Sequence, residues 1–368
     1  MKKQSNLVTN KILSIVILVI FGSSQYAFSQ VVLEEIAEES GKPELSISGS
    51  IDTYYRANLN ATNKSIFSDD IYVAPGSSFA NKPGFSLGMF NAILGVEGEK
   101  TGFVADLVFG PRGTDAVFGS TTASSSIVNQ LYAYWNVSEK VTLTLGNFNT
   151  FLGYEVISPT ANFNYSTSYM FSYGPFSHSG LKADFTLGEA SLMLAVMNPT
   201  DATDFNPTGD FVLGTQLGYG GGFLNFIYDD VNNSFYQVDF TGGWDLSESF
   251  YLGVNATTAK DSFTGAALYL QKSVSGDASL GLRGEYFKDD GLGLISEGEN
   301  VIDLTLSLNY VVGNLTIIPE VRVDMLSKDE FLIDGEGTFD SFGEPNGLIN
   351  DEYNKSLSSF VLAAVYNF

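Results

Sequence analysis

From residue 45 onward the chain alternates apolar and polar positions in short runs, and little of it follows a helical period. In "LSISGSIDTYYRANL" (45–59), Leu45, Ile47 and Ile51 share one face of a strand, while Ser46, Ser48, Ser50, Asp52 and Arg56 share the other. The same pattern predicts strands at 92–96, 103–109, 127–137, 141–148, 178–187, 190–197, 211–219, 223–228 and 235–244. It continues at 251–258, 266–271, 280–287, 301–310, 315–325 and 357–368, sixteen strands in all.

Connection lengths alternate as well. Tight links at 99–100, 138–140, 188–189, 220–222, 245–249, 273–277 and 313–314 separate longer ones at 60–84, 111–126, 149–177, 198–210, 259–265, 288–300 and 327–356. The link at 229–234 is short for its class. An even number of strands with short turns at one end and long loops at the other predicts an all-β fold, a transmembrane antiparallel β-barrel with periplasmic turns and extracellular loops. Sixteen strands enclose a cylinder that wall side chains cannot fill, so an aqueous lumen is expected.

In-strand charges test this pattern independently. Asp52 and Arg56 share parity, as do Lys182 and Asp184, Arg283 and Glu285, and the row Glu320, Arg322, Asp324. Each set lies opposite the apolar face, and Glu97, Asp106, Asp239 and Asp303 also fall on the wetter one. A charge turned to lipid at midplane costs about 2–4 kcal/mol, which explains the segregation. Lys272 has apolar-face parity, but it lies near a turn from which its ammonium reaches the interface. Pro319 cannot donate to a ladder and predicts a bulge or local break.

The N-terminus reads as a signal peptide over 1–29: Lys2, Lys3 and Lys11, then the apolar run "ILSIVILVIF", then small residues to Ser29. Residues 30–44 form a periplasmic lead, and 45–368 the barrel. The expected location is therefore the outer membrane, reached by export. With 29 Phe, 19 Tyr and 38 Gly the chain suits a body with both greasy and wet surfaces. A net charge of −24 argues against nucleic acid as a partner. The absence of cysteine rules out disulfides and thiolate metal sites. No cofactor and no catalytic set is expected.

The order of "QLYAYW", "LGNFNTFLGYE", "NYSTSYMF" and "HSGLKA" within 129–185 resembles the β-barrel porin-2 family, described as OmpL-like. That resemblance implies an outer-membrane porin-like barrel and supplies no catalytic residues. The C-terminal "FVLAAVYNF" is similar to the signal read by the outer-membrane barrel assembly machinery, with Tyr366 and Phe368 at its aromatic positions. Lipid and lipopolysaccharide, that machinery and small hydrophilic solutes are the expected partners; monomer and homo-oligomer both stay open.

Candidate chemistry concentrates in the third long link. Its one acidic or basic side chain is Glu155, among many aromatics, so it is expected to fold inward as a constriction with Glu155, Asn162, Asn164 and Tyr165 near the bore. The alternative is a loop whose rings merely pack on the wall. Lumen charge is assigned to Asp52, Glu97, Asp106, Asp184, Asp239, Glu285, Asp303, Glu320 and Asp324 against Arg56, Lys182, Arg283 and Arg322, an acid surplus that predicts mild cation preference. The row 320–324 beside Arg283 and Glu285 reads as a set of cross-lumen pairs that stiffen the wall rather than as a field for orienting solutes. Acidic loop segments such as "DGEGTFD" lack a full calcium-loop pattern and read as solvated. His178, the only histidine, reads as a lumenal or rim residue bonded to a neighbour, since adjacent Ser177 and Ser179 point to the opposite strand face. Two other readings are a plugged structural or adhesive surface barrel and, more remotely, an outer-membrane hydrolase.

Overall fold

The computed structural model describes residues 44–67, 71–229, 235–296, 298–339 and 345–368. Sixteen antiparallel strands close into one barrel. They are β1 Glu44–Asn58, β2 Gly84–Glu97, β3 Thr101–Phe109, β4 Val128–Ser138, β5 Val141–Asn149, β6 Ser177–Leu187, β7 Ala190–Met197 and β8 Val212–Tyr219. The second half comprises β9 Gly222–Asp229, β10 Phe235–Ser247, β11 Phe250–Ala259, β12 Phe263–Ser275, β13 Ala278–Asp289, β14 Asn300–Val312, β15 Leu315–Leu326 and β16 Ser356–Asn367. All sixteen expected strands are present. The expected signal peptide, the lead up to residue 43, and residues 230–234 lie outside the described residues.

Neighbours in sequence pair throughout, and β1 closes the cylinder by pairing with β16 from Ser50↔Asn367 to Asn58↔Ser359. Gly49 and Phe368 exchange backbone hydrogen bonds of 3.0 Å in both directions, so the aromatic C-terminal residue belongs to the seam. The Phe368 ring stacks on Phe90 at 6.0 Å, above Gly49, where a Cβ would meet that ring at 2.8 Å.

Alternation sorts the strand residues as the barrel requires. Outward positions carry exposed apolar side chains, among them Phe85, Leu87, Leu145, Leu194, Leu217, Leu268 and Leu306. Among the described charged residues within barrel strands, Lys272 and Lys288 share this outward parity, both close to strand ends. The sequence reading of β2 began at residue 92; the strand starts at Gly84. A register shift between Ile51 and Thr53 opposite β2 changes the parity there, and this hid its first half. Gly88 makes room at that irregularity: a Cβ would fall 1.5 Å from the Asp52 carboxylate, whose Oδ1 accepts the Met89 N–H at 3.0 Å. The link expected over 259–265 is also corrected. Its strands extend to Ala259 and from Phe263, leaving 260–262 as a tight turn. At Pro319 the ladder to β16 continues, while pairing with β14 lapses between Ser307↔Glu320 and Tyr310↔Ile317 with no change of register. The expected local break is there, without a bulge.

Short turns (98–100, 139–140, 188–189 and their equivalents) lie at one end. At the other, loops 59–83, 110–127 and 150–176 carry buried residues such as Phe79, Arg112 and Tyr165. Two hairpins, Ser65–Phe67 with Ile71–Tyr72 and Phe331–Phe339 with Pro345–Asn354, also lie on the loop side. An apolar cluster including Ile66, Val73, Met170, Phe263, Phe287 and Val301 lies inside the barrel at the loop ends of the strands.

Candidate functional site

Loop 150–176 is closed at its base by Thr150 N–H donating to the Phe176 carbonyl at 3.0 Å. It ends in the short helix Tyr169–Tyr173, capped by Ser168, whose hydroxyl accepts the Phe171 N–H. The loop runs inside the barrel, and the wall grips it mainly by its backbone. Glu320 on β15 accepts the N–H groups of Tyr165 and Ser166 at 2.7 and 3.0 Å. Glu285 on β13 accepts those of Tyr169 and Met170 at 2.9 and 2.7 Å. Asp239 on β10 accepts Gly153 N–H at 3.0 Å. A carboxylate on a strand thus takes two consecutive amides twice over, which offsets part of the cost of burying its charge.

The arginines hold the loop's carbonyls. Arg283 donates to Ser166 O and to Glu155, both at 2.7 Å, and pairs with Asp303 at 2.7 Å. Arg322 donates to Thr167 O and Ser77 Oγ at 2.8 Å and pairs with Asp324 at 2.7 Å and Asp303 at 3.6 Å. The expected cross-lumen pairs are instead ion pairs between adjacent strands, within β15 and with the loop, because the loop occupies the space between the walls. Arg56 donates instead to uncharged oxygens, those of Asn58, Asn81 and Val73. Arg112, from the short helix Pro111–Ala116, was missed in the sequence. It donates to the carbonyls of Ile157 and Tyr165 and lies 4.5 Å from the Phe79 ring centroid and 5.1 Å from that of Tyr165. Its one visible signal was a lone arginine between Gly110 and aromatic-rich loops, in a chain with only 18 Lys and Arg.

The four residues expected near a bore occupy distinct places. Tyr165 is the hub: beyond its backbone contacts, its hydroxyl donates to Asp52 at 2.5 Å, and its ring tilts against Tyr54. Only 1% of it is exposed. Asn164 donates to Ser307 at 2.7 Å. Glu155 joins Arg283 to the Ser168 N–H. Asn162 folds back on its own loop, accepting Val156 N–H and donating to Val156 O.

Elsewhere on the wall one device occurs twice. Asp106 on β3 accepts from Asn91 on β2 and from Asn129 and Gln130 on β4. Asp239 on β10 accepts from Asn225 on β9 and Asn255 on β11. Lys182 and Asp184 pair at 3.4 Å with side chains 21% and 17% exposed, in contrast to the buried groups at loop level. Ser46, Glu97, Asn309 and Thr316 near the short turns are likewise exposed or half-buried. Wall side chains alone do not fill the cylinder; the loops fill its middle and outer parts, and water reaches the inward face nearer the short turns. His178 is buried, with Nε2 3.0 Å from Thr150 Oγ1 and its ring beside Phe151 and Phe148. No cluster of three or more His, Asp and Glu able to hold a metal occurs among the described residues; Asp69, Asp70 and Asp340 lie outside them.

A closed sixteen-strand barrel with an apolar exterior, a charged interior and an inserted loop defines an outer-membrane channel protein. The chain belongs to the family described as "Putative beta-barrel porin-2, OmpL-like", which matches residues 44–368. No curated protein sequence matches it. Among solved structures it is similar to OprB of Pseudomonas putida, with 9% identity, coverage of 88% of this chain and 94% of that one, and a TM-score of 0.54. It is also similar to OmpT, an outer membrane protein of Vibrio cholerae, with 10% identity, coverage of 91% and 100%, and a TM-score of 0.51. At these identities the likeness is one of fold. The protein is a porin of the outer membrane.

Proposed function

We propose that this porin passes small hydrophilic solutes or ions passively, through a narrow bore set by loop 150–176, with a mild preference for cations. The observation that carries the reading is the loop's position inside the barrel, fixed by Glu285, Glu320 and Arg283. Asp52, Arg56, Asp106, Lys182, Asp184, Asp239, Asp303, Arg322 and Asp324 line the surrounding wall, and the surplus of carboxylates supports cation preference. Glu155, Asn162, Asn164 and Tyr165 shape the constriction by holding the loop's form and place. Tyr366 and Phe368, on the outward side of the seam, are the aromatic positions offered to the assembly machinery. A hydrolase reading gains nothing from His178, which is enclosed by Thr150 and two phenylalanine rings.

Deletion of 163–173 tests the constriction. Single-channel conductance in a planar bilayer should rise well above that of the parent protein; an unchanged value rejects the role of the loop.

A further inference from the structure

The loop end of the barrel contains a cavity of about 260 Å³ whose wall differs from the rest of the interior. Ile66, Val73, Phe287, Val301, Leu326 and Phe331 are its principal sides, and Tyr169 of loop 150–176 also borders it. These residues come from three separate loops and from the ends of β13, β14 and β15, with Val301 and Leu326 directly paired across two strands. We infer that this chamber binds a small uncharged apolar molecule of about ten carbons, a class of ligand distinct from the hydrophilic solutes of the bore.

Its chemistry favours an apolar occupant over water or an ion. A buried water needs two to four polar partners, and the one carboxylate on the lining, Glu330, is already engaged by the N–H and hydroxyl of Ser296. An ion would meet aliphatic and aromatic carbon on most sides. The cavity is partly open to solvent, which gives a ligand a way in. An apolar cavity of roughly 150 Å³ accepts benzene, and by that scale the present one accepts a fused bicyclic hydrocarbon. The occupant would border Tyr169, whose N–H is held by Glu285, and so would adjoin the docked part of the loop.

Naphthalene is the probe, with the full protein in lipid nanodiscs and its methyl groups isotope-labelled. The expected result is saturable nuclear Overhauser contacts from naphthalene to the methyls of Val73, Val301 and Leu326. Val301→Trp, which fills the chamber, should weaken apparent affinity about tenfold or more, with assembly checked by heat-modifiable migration. If V301W fails to assemble, the less bulky Leu326→Phe makes the same test. Contacts confined to the outward methyls of Leu304 and Val321 would mean partition into lipid and would overturn the inference. So would chamber contacts that neither substitution alters.

Discussion

At the scale of single residues, the inward carboxylates are defined by what they accept. Glu320 takes two backbone N–H groups and the Ser307 hydroxyl, all buried. Glu320→Ala leaves these donors without their acceptor, at about 1–3 kcal/mol for each one stranded. Single-channel traces of that variant should show frequent transitions between conductance levels, with Glu320→Gln intermediate; traces as quiet as the parent's would remove the docking role. Asp201, in loop 198–211, accepts the N–H groups of Phe176 and Ser177 beside the base of the inserted loop. Burial pushes its carboxyl up to about 6, although those two amides pull the other way. A carboxyl raised in the folded state favours folding most when protonated, and this contribution is lost as pH rises between 3.8 and about 6. Carbon-13 titration should therefore place its midpoint near 6, and Asp201→Asn should abolish the pH dependence of protease cutting in this loop; a midpoint at the ordinary carboxylate value would contradict the assignment. Parity alone revealed which charges face inward. It could not reveal that Glu285 and Glu320 serve backbone amides, because every residue but proline carries such an amide and nothing in the sequence marks the ones in demand.

Among the elements, period two made all sixteen strands visible, and errors arose where the period breaks. The first half of β2 was lost at the Asp52–Gly88 irregularity, and the 260–262 turn was overestimated because Phe263–Gly265 lacks a strong alternating signal. The irregularity has a purpose: it clears room for the carboxylate that receives the Tyr165 hydroxyl. Gly88→Val should force Asp52 aside and cost about 1–3 kcal/mol by overpacking. Urea unfolding in lipid vesicles would register this as a lower midpoint, and a midpoint equal to the parent's would show that the space is not needed.

For the molecule as a whole, fold class and location were legible because lipid outside and water inside impose opposite demands on alternate residues. The inward fold of the third long link was expected too, but the partners that hold it were not legible. Loops have no period, and the meeting of Phe79, Arg112 and Tyr165 brings together three separate loops. The field of the assembled interior is a property at this scale: carboxylates on the wall outnumber the arginines and Lys182. A salt gradient across a planar bilayer should accordingly give a reversal potential of cation-selective sign, and the anion-selective sign would refute that balance.

The wall clasps its inserted segment through amides and carbonyls at Tyr165, Ser166, Thr167, Tyr169 and Met170. Main-chain groups are common to nearly all amino acids, so this part of the grip does not depend on the identity of the residues that supply it. The fastening can therefore outlast changes in the loop's side chains, with the Tyr165 hydroxyl on Asp52 as its side-chain supplement.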